Sequence, residues 1–160
     1  MENIAQTYAH GEQRPLGGYA VLTAGFFAAF GGALAAAHRS GKELERPGLA
    51  DLALTALATQ KLSRLIAKDK VTSFARAPFT RFQDTTGHGE VEEEARGDGL
   101  RFATGELVLC PYCISQWVVG GLTLGHVVAP KTTRLLTGMW AAQAVADGLQ
   151  LAYSAGEKQT

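Results

Sequence analysis

The chain holds two cysteines, three residues apart in Gly105-Glu106-Leu107-Val108-Leu109-Cys110-Pro111-Tyr112-Cys113-Ile114-Ser115-Gln116-Trp117. Two thiols at that spacing can exchange electrons as a dithiol, ligate a soft metal, or pack as small polarizable groups. Pro111 suits the first position of a helix, where its missing N–H costs no hydrogen bond, so Cys110 is expected at or beside the N-cap and Cys113 in the first turn. Both sulfurs then share a helix face with Trp117. The free N–H groups and positive dipole end of such a helix favour thiolate over thiol, so Cys110 and Cys113 are the candidates for any catalytic role. Zinc is the metal considered, with Cys110 and Cys113 as ligands and His88, in the loop leading back to the same helix, as a third. One Cys-x-x-Cys without a second pair leaves these readings open, and packing at a helix start is the simplest of them.

Four charged residues in the flanking segments bear on the pair. The chain leaves an apolar stretch after Arg64 and returns to one at Glu106, so a loop that folds back brings Arg64, Asp69, Arg76 and Glu106 toward Cys110 and Cys113. A cation in such a cluster adds to the helix dipole in lowering a thiol pKa. The expected cluster serves to fix the loop or to bind an anion, a metal or a redox partner.

The elements that must position these residues are apolar. Leu16 to Ala37 and Leu107 to Ala129 contain no Asp, Glu, Lys or Arg, and each is long enough to cross a hydrocarbon core that takes about 20 helical residues. Leu49 to Ala67 is interrupted by Asp51, Lys61 and Arg64, which can snorkel to opposite interfaces. Thr133 to Ala155 carries Gln143, Asp147 and Gln150, which should face protein or an interface. The fold class expected is all-α: an integral membrane bundle of about four transmembrane helices, with a cytoplasmic loop between the second and third. In domain terms this is an N-terminal tail at 1–15, a membrane helical domain at 16–155 enclosing a polar loop at 68–104, and a C-terminal tail at 156–160. Inside the loop, the Gly97-Asp98-Gly99 turn suggests a small hairpin between Val91 to Arg96 and Leu100 to Ala103.

Orientation follows from the basic residues. Arg14, Lys68, Lys70, Arg76, Arg81, Arg96, Arg101 and Lys158 fall on one side of a four-span chain, and Arg39, Lys42, Arg46, Lys131 and Arg134 on the other. The richer side is cytoplasmic by the positive-inside rule, so both termini and the Cys pair are expected there, in the bacterial cytoplasmic membrane. A lasting disulfide is not expected in that compartment. The 15 basic and 15 acidic residues of the 160-residue chain cancel, which removes the bulk field that a nucleic-acid partner would need. Gly17, Gly18, Gly25, Gly31 and Gly32 in the first apolar helix weaken it alone but permit close helix approach. The expected partners are therefore membrane lipids and a second membrane protein, the same chain or another, reached through the Gly-rich helices.

Two resemblances bear on function. Cys-Pro-Tyr-Cys matches the active-site tetrapeptide of glutaredoxins, although the surrounding residues read as a membrane helix. More broadly, Arg64 to Phe79 and Gly105 to Trp117 together resemble the paired signature of a family of small bacterial membrane proteins of unknown function, which includes a Bacillus sporulation protein of the YjcA type. The resemblance covers roughly Leu49 to Ala155 and implies an Arg-Leu-x-x-x-Asp-Lys helix end, an Arg-x-Pro-Phe segment and a Gly-Glu-Leu-x-x-Cys-x-x-Cys-x-x-x-Trp helix start in one protein; all three occur here. It implies membrane location and brings no activity with it. The function expected is that of a non-enzymatic subunit or scaffold of a membrane assembly. The alternative is a thiol-redox or soft-metal-binding protein using Cys110 and Cys113.

Overall fold

A computed structural model describes residues 8, 11–44 and 46–157 of the chain. Most of the N-terminal tail and the end of the C-terminal tail, with Lys158, lie outside the described residues. Six helices are described: α1 (Leu16–Arg39), α2 (Leu49–Lys68), α3 (Ser73–Arg76), α4 (Gly99–Leu109), α5 (Pro111–Val128) and α6 (Pro130–Glu157). Two strands, β1 (Thr80–Thr85) and β2 (Val91–Ala95), pair antiparallel between α3 and α4.

Local chemistry sets these boundaries. α1 stops because Gly41 adopts a φ of +77°, which lets the Gly41 N–H reach the His38 carbonyl and the Lys42 N–H reach the Ala37 carbonyl, each at 3.0 Å. That pair of bonds satisfies carbonyls the helix would otherwise leave bare. α2 restarts after Pro47 and Gly48, with Asp51 in its positively poled first turn. Pro130 opens α6 one residue after α5 ends, where its lack of an N–H is harmless.

Three expectations are corrected. The fold is mostly helical but not all-α, because the polar excursion contains the β1–β2 hairpin. The hairpin also lies elsewhere than expected: Leu100 to Ala103 is the first turn of α4, and β2 pairs backward with β1, setting Arg81 opposite Glu94. Opposite charges across a ladder favour that register, while Leu100, Ala103 and Leu107 recur at helical spacing. Finally, the uncharged run from Leu107 to Ala129, long enough for one span, is divided between two helices at the Cys110 cap that Pro111 predicts. Pro111 cannot continue α4 and pushes Cys110 out of the helical region, to φ −97° and ψ 106°, and α4 and α5 are bent by 84° at that break.

Among the described residues, α1 alone is long and apolar enough to cross a membrane, and α4 with α5 would make a second span if the bent pair counts as one. Only 11% of the apolar window of α1 is buried, unlike the core helix of a soluble protein.

The described chain divides into two compact units, residues 1–29 with 65–114 and residues 30–64 with 115–160. In the first, the start of α1, the hairpin and α4 pack through small residues. A Cβ on Gly18 would lie 2.7 Å from the Ala103 Cβ, and one on Gly105 would lie 2.6 Å from the Phe79 carbonyl oxygen. Neither position has room for a side chain. In the second, the buried residues of α2 and α6 are Thr55, Ala58, Thr59, Ser63, Thr133, Thr137 and Ala141. Gly125 of α5 lies against Thr133, whose Oγ1 would be 2.7 Å from an added Cβ.

Candidate functional site

The most heavily bonded side chain of the first unit is Arg76, 2% exposed. Its Nε donates to the Glu93 carboxylate at 2.5 Å, its Nη1 to the Ile66 carbonyl at 2.6 Å and the Thr72 hydroxyl at 2.7 Å, and its Nη2 to the Asp69 carbonyl at 3.0 Å and the Ser73 hydroxyl at 3.3 Å. A guanidinium has five N–H donors, and all five are used. Desolvating such a charge is repaid only when it is paired and fully bonded. Here both conditions hold.

The consequence is mechanical. Ile66 belongs to the last turn of α2, so Arg76 binds a carbonyl of that helix end and ties it to strand β2 through Glu93. Asp69 supports the same corner, its carboxylate accepting from the Val71 N–H at 3.0 Å. Two residues on, the Pro78 carbonyl accepts from Arg96 Nε at 3.2 Å and from Arg101 Nε and Nη2 at 3.0 and 2.7 Å. The Arg76-Ala77-Pro78-Phe79 segment thus joins α2, the hairpin and α4 into one polar block.

A second polar group surrounds Glu106 on α4. The Tyr19 hydroxyl of α1 donates to one carboxylate oxygen, and Arg14 Nη1 lies 3.6 Å from the other. Hydrogen bonds with Glu12 and then Tyr19, followed by the Glu12 charge, hold the Arg14 guanidinium above its ordinary pKa.

Cys110 and Cys113 are joined as a disulfide, with Cα atoms 5.2 Å apart, within the range a disulfide spans. Cys110 is half-buried, and Tyr112 and Cys113 are exposed. As expected, Cys110 caps α5: its carbonyl accepts from the Cys113 and Ile114 N–H groups, each at 3.0 Å. Its Sγ also accepts from the Cys113 N–H at 3.2 Å. The expectation of a reduced pair is corrected by this pairing, whose physical reason is local: an extended N-cap followed by one helical turn folds the two sulfurs together.

The hydrogen bonds and the disulfide group the residues expected in one cluster as follows. Asp69 and Arg76 meet, Glu106 joins Arg14 and Tyr19, and the cysteines join each other. Arg64 belongs to the second unit, where its charge acts on Asp147. His88 stands exposed in the turn between β1 and β2, at a φ of +64°. Among the described residues no three of His, Cys, Asp and Glu converge as metal ligands.

Sequence reasoning missed several partners. Glu93 lay in the Val91 to Arg96 arm of the expected hairpin but was not singled out, and the signal available was its alternation with Glu92 and Glu94 on that strand, which turns it to the face opposite theirs. In the second unit Lys61 and Asp51 each have an ion-pair partner on α6. Lys61 Nζ donates to Asp147 at 2.6 Å, Arg134 Nη2 to Asp51 at 2.8 Å, and the Thr55 hydroxyl and His126 Nε2 are 3.2 Å apart.

Comparison with known proteins adds a relationship to this geometry. Residues 54–153 match the family described as a protein of unknown function, DUF1360; both signature segments fall inside that range and α1 lies before it. Over 88 residues the chain is 31% identical to the sporulation protein YjcA of Bacillus subtilis (strain 168), covering 53% of this chain and 75% of that protein. No solved structure is significantly similar.

Proposed function

The chain belongs to the DUF1360 family of proteins of unknown function, and from that premise we propose that it is a multi-pass protein of the bacterial cytoplasmic membrane acting as a non-enzymatic subunit or scaffold. In this reading α1, α2, α5 and α6 cross the bilayer, and both termini and the hairpin block lie on the cytoplasmic side. The carrying observation is an inverted distribution of side chains in the helices of the second unit. Ala58 and Thr137 are fully buried, whereas Leu135 is 73% and Leu149 67% exposed, with Leu136, Met139, Val145, Leu151 and Tyr153 also outward on α6. In water each outward Leu forgoes about 2 kcal/mol of burial; in lipid the same arrangement costs nothing, and small residues inside let helices pack closely.

Two pairs of charges in these helices fit that setting. Lys61 with Asp147 and Asp51 with Arg134 give neutral pairs between α2 and α6, the form in which ionised groups are tolerated at membrane depth. Gly25, Gly31 and Gly32 of α1 have nothing within 4 Å of an added Cβ, which leaves them available to lipid or to another membrane helix.

Reporter fusions or cysteine accessibility at Gly41 and at His88, in a background lacking Cys110 and Cys113, test the topology. Opposite sides are expected, with His88 cytoplasmic; the same side for both ends the four-span reading. Native mass in mild detergent tests the assembly, and a strict monomer with no co-purifying protein would end the scaffold reading.

A further inference from the structure

The scaffold leaves one reactive group without a task. Cys110 and Cys113 are paired at the N-terminus of an eighteen-residue helix, α5, and the two sulfurs are not equivalent. Cys113 is exposed beside Tyr112, itself 90% exposed, so a solution thiol can approach it. Cys110 is half-buried at the N-cap, with its Sγ accepting from the Cys113 N–H at 3.2 Å. In thiol–disulfide exchange the sulfur that is reached becomes the target, and the sulfur that best carries negative charge leaves. Access selects Cys113 as target. The N–H and the positive end of the helix select Cys110 as leaving thiolate.

We propose that this pair is a thiol–disulfide exchange site of fixed polarity, whose partner is a dithiol presented on the same aqueous face. One partner thiolate attacks Cys113 Sγ, forming an intermolecular S–S bond as the Cys110–Cys113 bond breaks and Cys110 leaves as thiolate. The second partner thiolate then attacks the first partner sulfur, forming the partner's disulfide and releasing Cys113 as thiolate. The two protons lost by the partner's thiols finish on Cys110 and Cys113, and two electrons pass from the dithiol to this chain. No metal or external oxidant enters the exchange. The site needs only the exposed pair, so it stands independently of the scaffold reading.

The test uses the full chain in detergent micelles. Oxidised protein is treated with reduced glutathione, quenched with acid and mapped by peptide mass, and in parallel with dithiothreitol. The expected result is a glutathione adduct on Cys113 in at least tenfold excess over Cys110, and full reduction without adduct by dithiothreitol. Cys113→Ser and Cys110→Ser, each checked for an unchanged thermal transition and replaced by the Ala variant if that fails, then give the alkylation midpoint of the remaining thiol. Cys110 should titrate at least one pH unit below the free-thiol value of about 8.5, and Cys113 closer to it. Adduct on Cys110 or on both sulfurs alike, a Cys110 midpoint at or above that of Cys113, or a disulfide that neither reagent opens would overturn the proposal.

Discussion

The hairpin block and the helices of the second unit bury opposite kinds of groups. In the block, the interior holds an ion pair of Arg76 and Glu93 with side chains 2% and 4% exposed, closed by carbonyls and hydroxyls on every remaining donor. Between α2 and α6 the interior is Ala, Ser and Thr, and the ion pairs are partly open. The contrast shows what each region uses for specificity. A short polar segment with few large apolar chains can be fixed by directional charge-assisted bonds, whereas long apolar helices need close backbone approach and put their large side chains outside.

The sharpest way to break this contrast is to remove half of the buried pair. Arg76→Ala leaves Glu93 charged and unpaired, and Glu93→Ala leaves the guanidinium so; each should cost about 3–5 kcal/mol. Loss of protease resistance between Lys68 and Thr104, with α1 retained, is the expected readout. Arg76→Met with Glu93→Leu should cost markedly less, since no charge is stranded. If the single variants are as stable as the wild type, the block is not held by this pair.

The same operation on the second unit is expected to matter less and to depend on the medium. Lys61→Ala strands Asp147, whose side chain is 38% exposed; an exposed pair in water is worth about 0–1 kcal/mol, whereas a carboxylate facing lipid costs about 2.5–3.5 kcal/mol. Thermal unfolding in nanodiscs should fall clearly, and the charge swap Lys61→Asp with Asp147→Lys should restore most of it. A negligible loss in bilayer would argue that this end of α2 and α6 is wet.

How far the sequence reached differs between the two regions for the same physical reason. The helix start at Pro111 was legible, since a proline acts within one turn: the N-cap role of Cys110 follows from its neighbour alone. Long-range choices were not. Arg76 was recognised as a charged signature residue, but its partner Glu93 is brought to it by a strand register that periodicity in a short polar stretch does not specify. Likewise Asp51, Lys61 and Asp147 were seen as charges that apolar helices must accommodate, yet pairing across helices and snorkelling to an interface answer that need equally well on paper. The disulfide was misjudged because topology, not local geometry, set the expectation.

Glycines offer a smaller test of the same difference. Gly105→Ala forces a methyl to 2.6 Å from the Phe79 carbonyl and 2.9 Å from the Ala95 Cβ, so about 1–3 kcal/mol of overpacking cost is expected, seen as a lower melting temperature. Gly31→Ala meets open space in the single chain and gains about 0.5–1 kcal/mol in helix propensity. If Gly31→Ala instead lowers stability or dissociates a complex on a native gel, α1 is packed against a partner there.

The smallest expected effect concerns Thr59, whose buried Oγ1 finds no hydrogen-bond partner among the described residues. Ser63, Thr133 and Thr137, also buried hydroxyls of α2 and α6, bond back to carbonyls four residues earlier at 2.6, 3.0 and 2.9 Å. Thr55 instead reaches across to His126. Burying a polar group without compensation costs about 1–3 kcal/mol, and replacing it with an apolar group of the same shape removes that cost. Thr59→Val keeps the β-branched outline and should therefore raise the melting temperature slightly, by the equivalent of up to about 1 kcal/mol. Thr55→Val should lower it by a comparable amount, because it leaves a ring nitrogen without its hydroxyl. The opposite signs at two threonines one turn apart on the same helix are the discriminating feature. A destabilised Thr59→Val would mean that its hydroxyl is satisfied in the membrane-embedded protein, and the interior between α2 and α6 would then be more polar than its Ala and Thr packing implies.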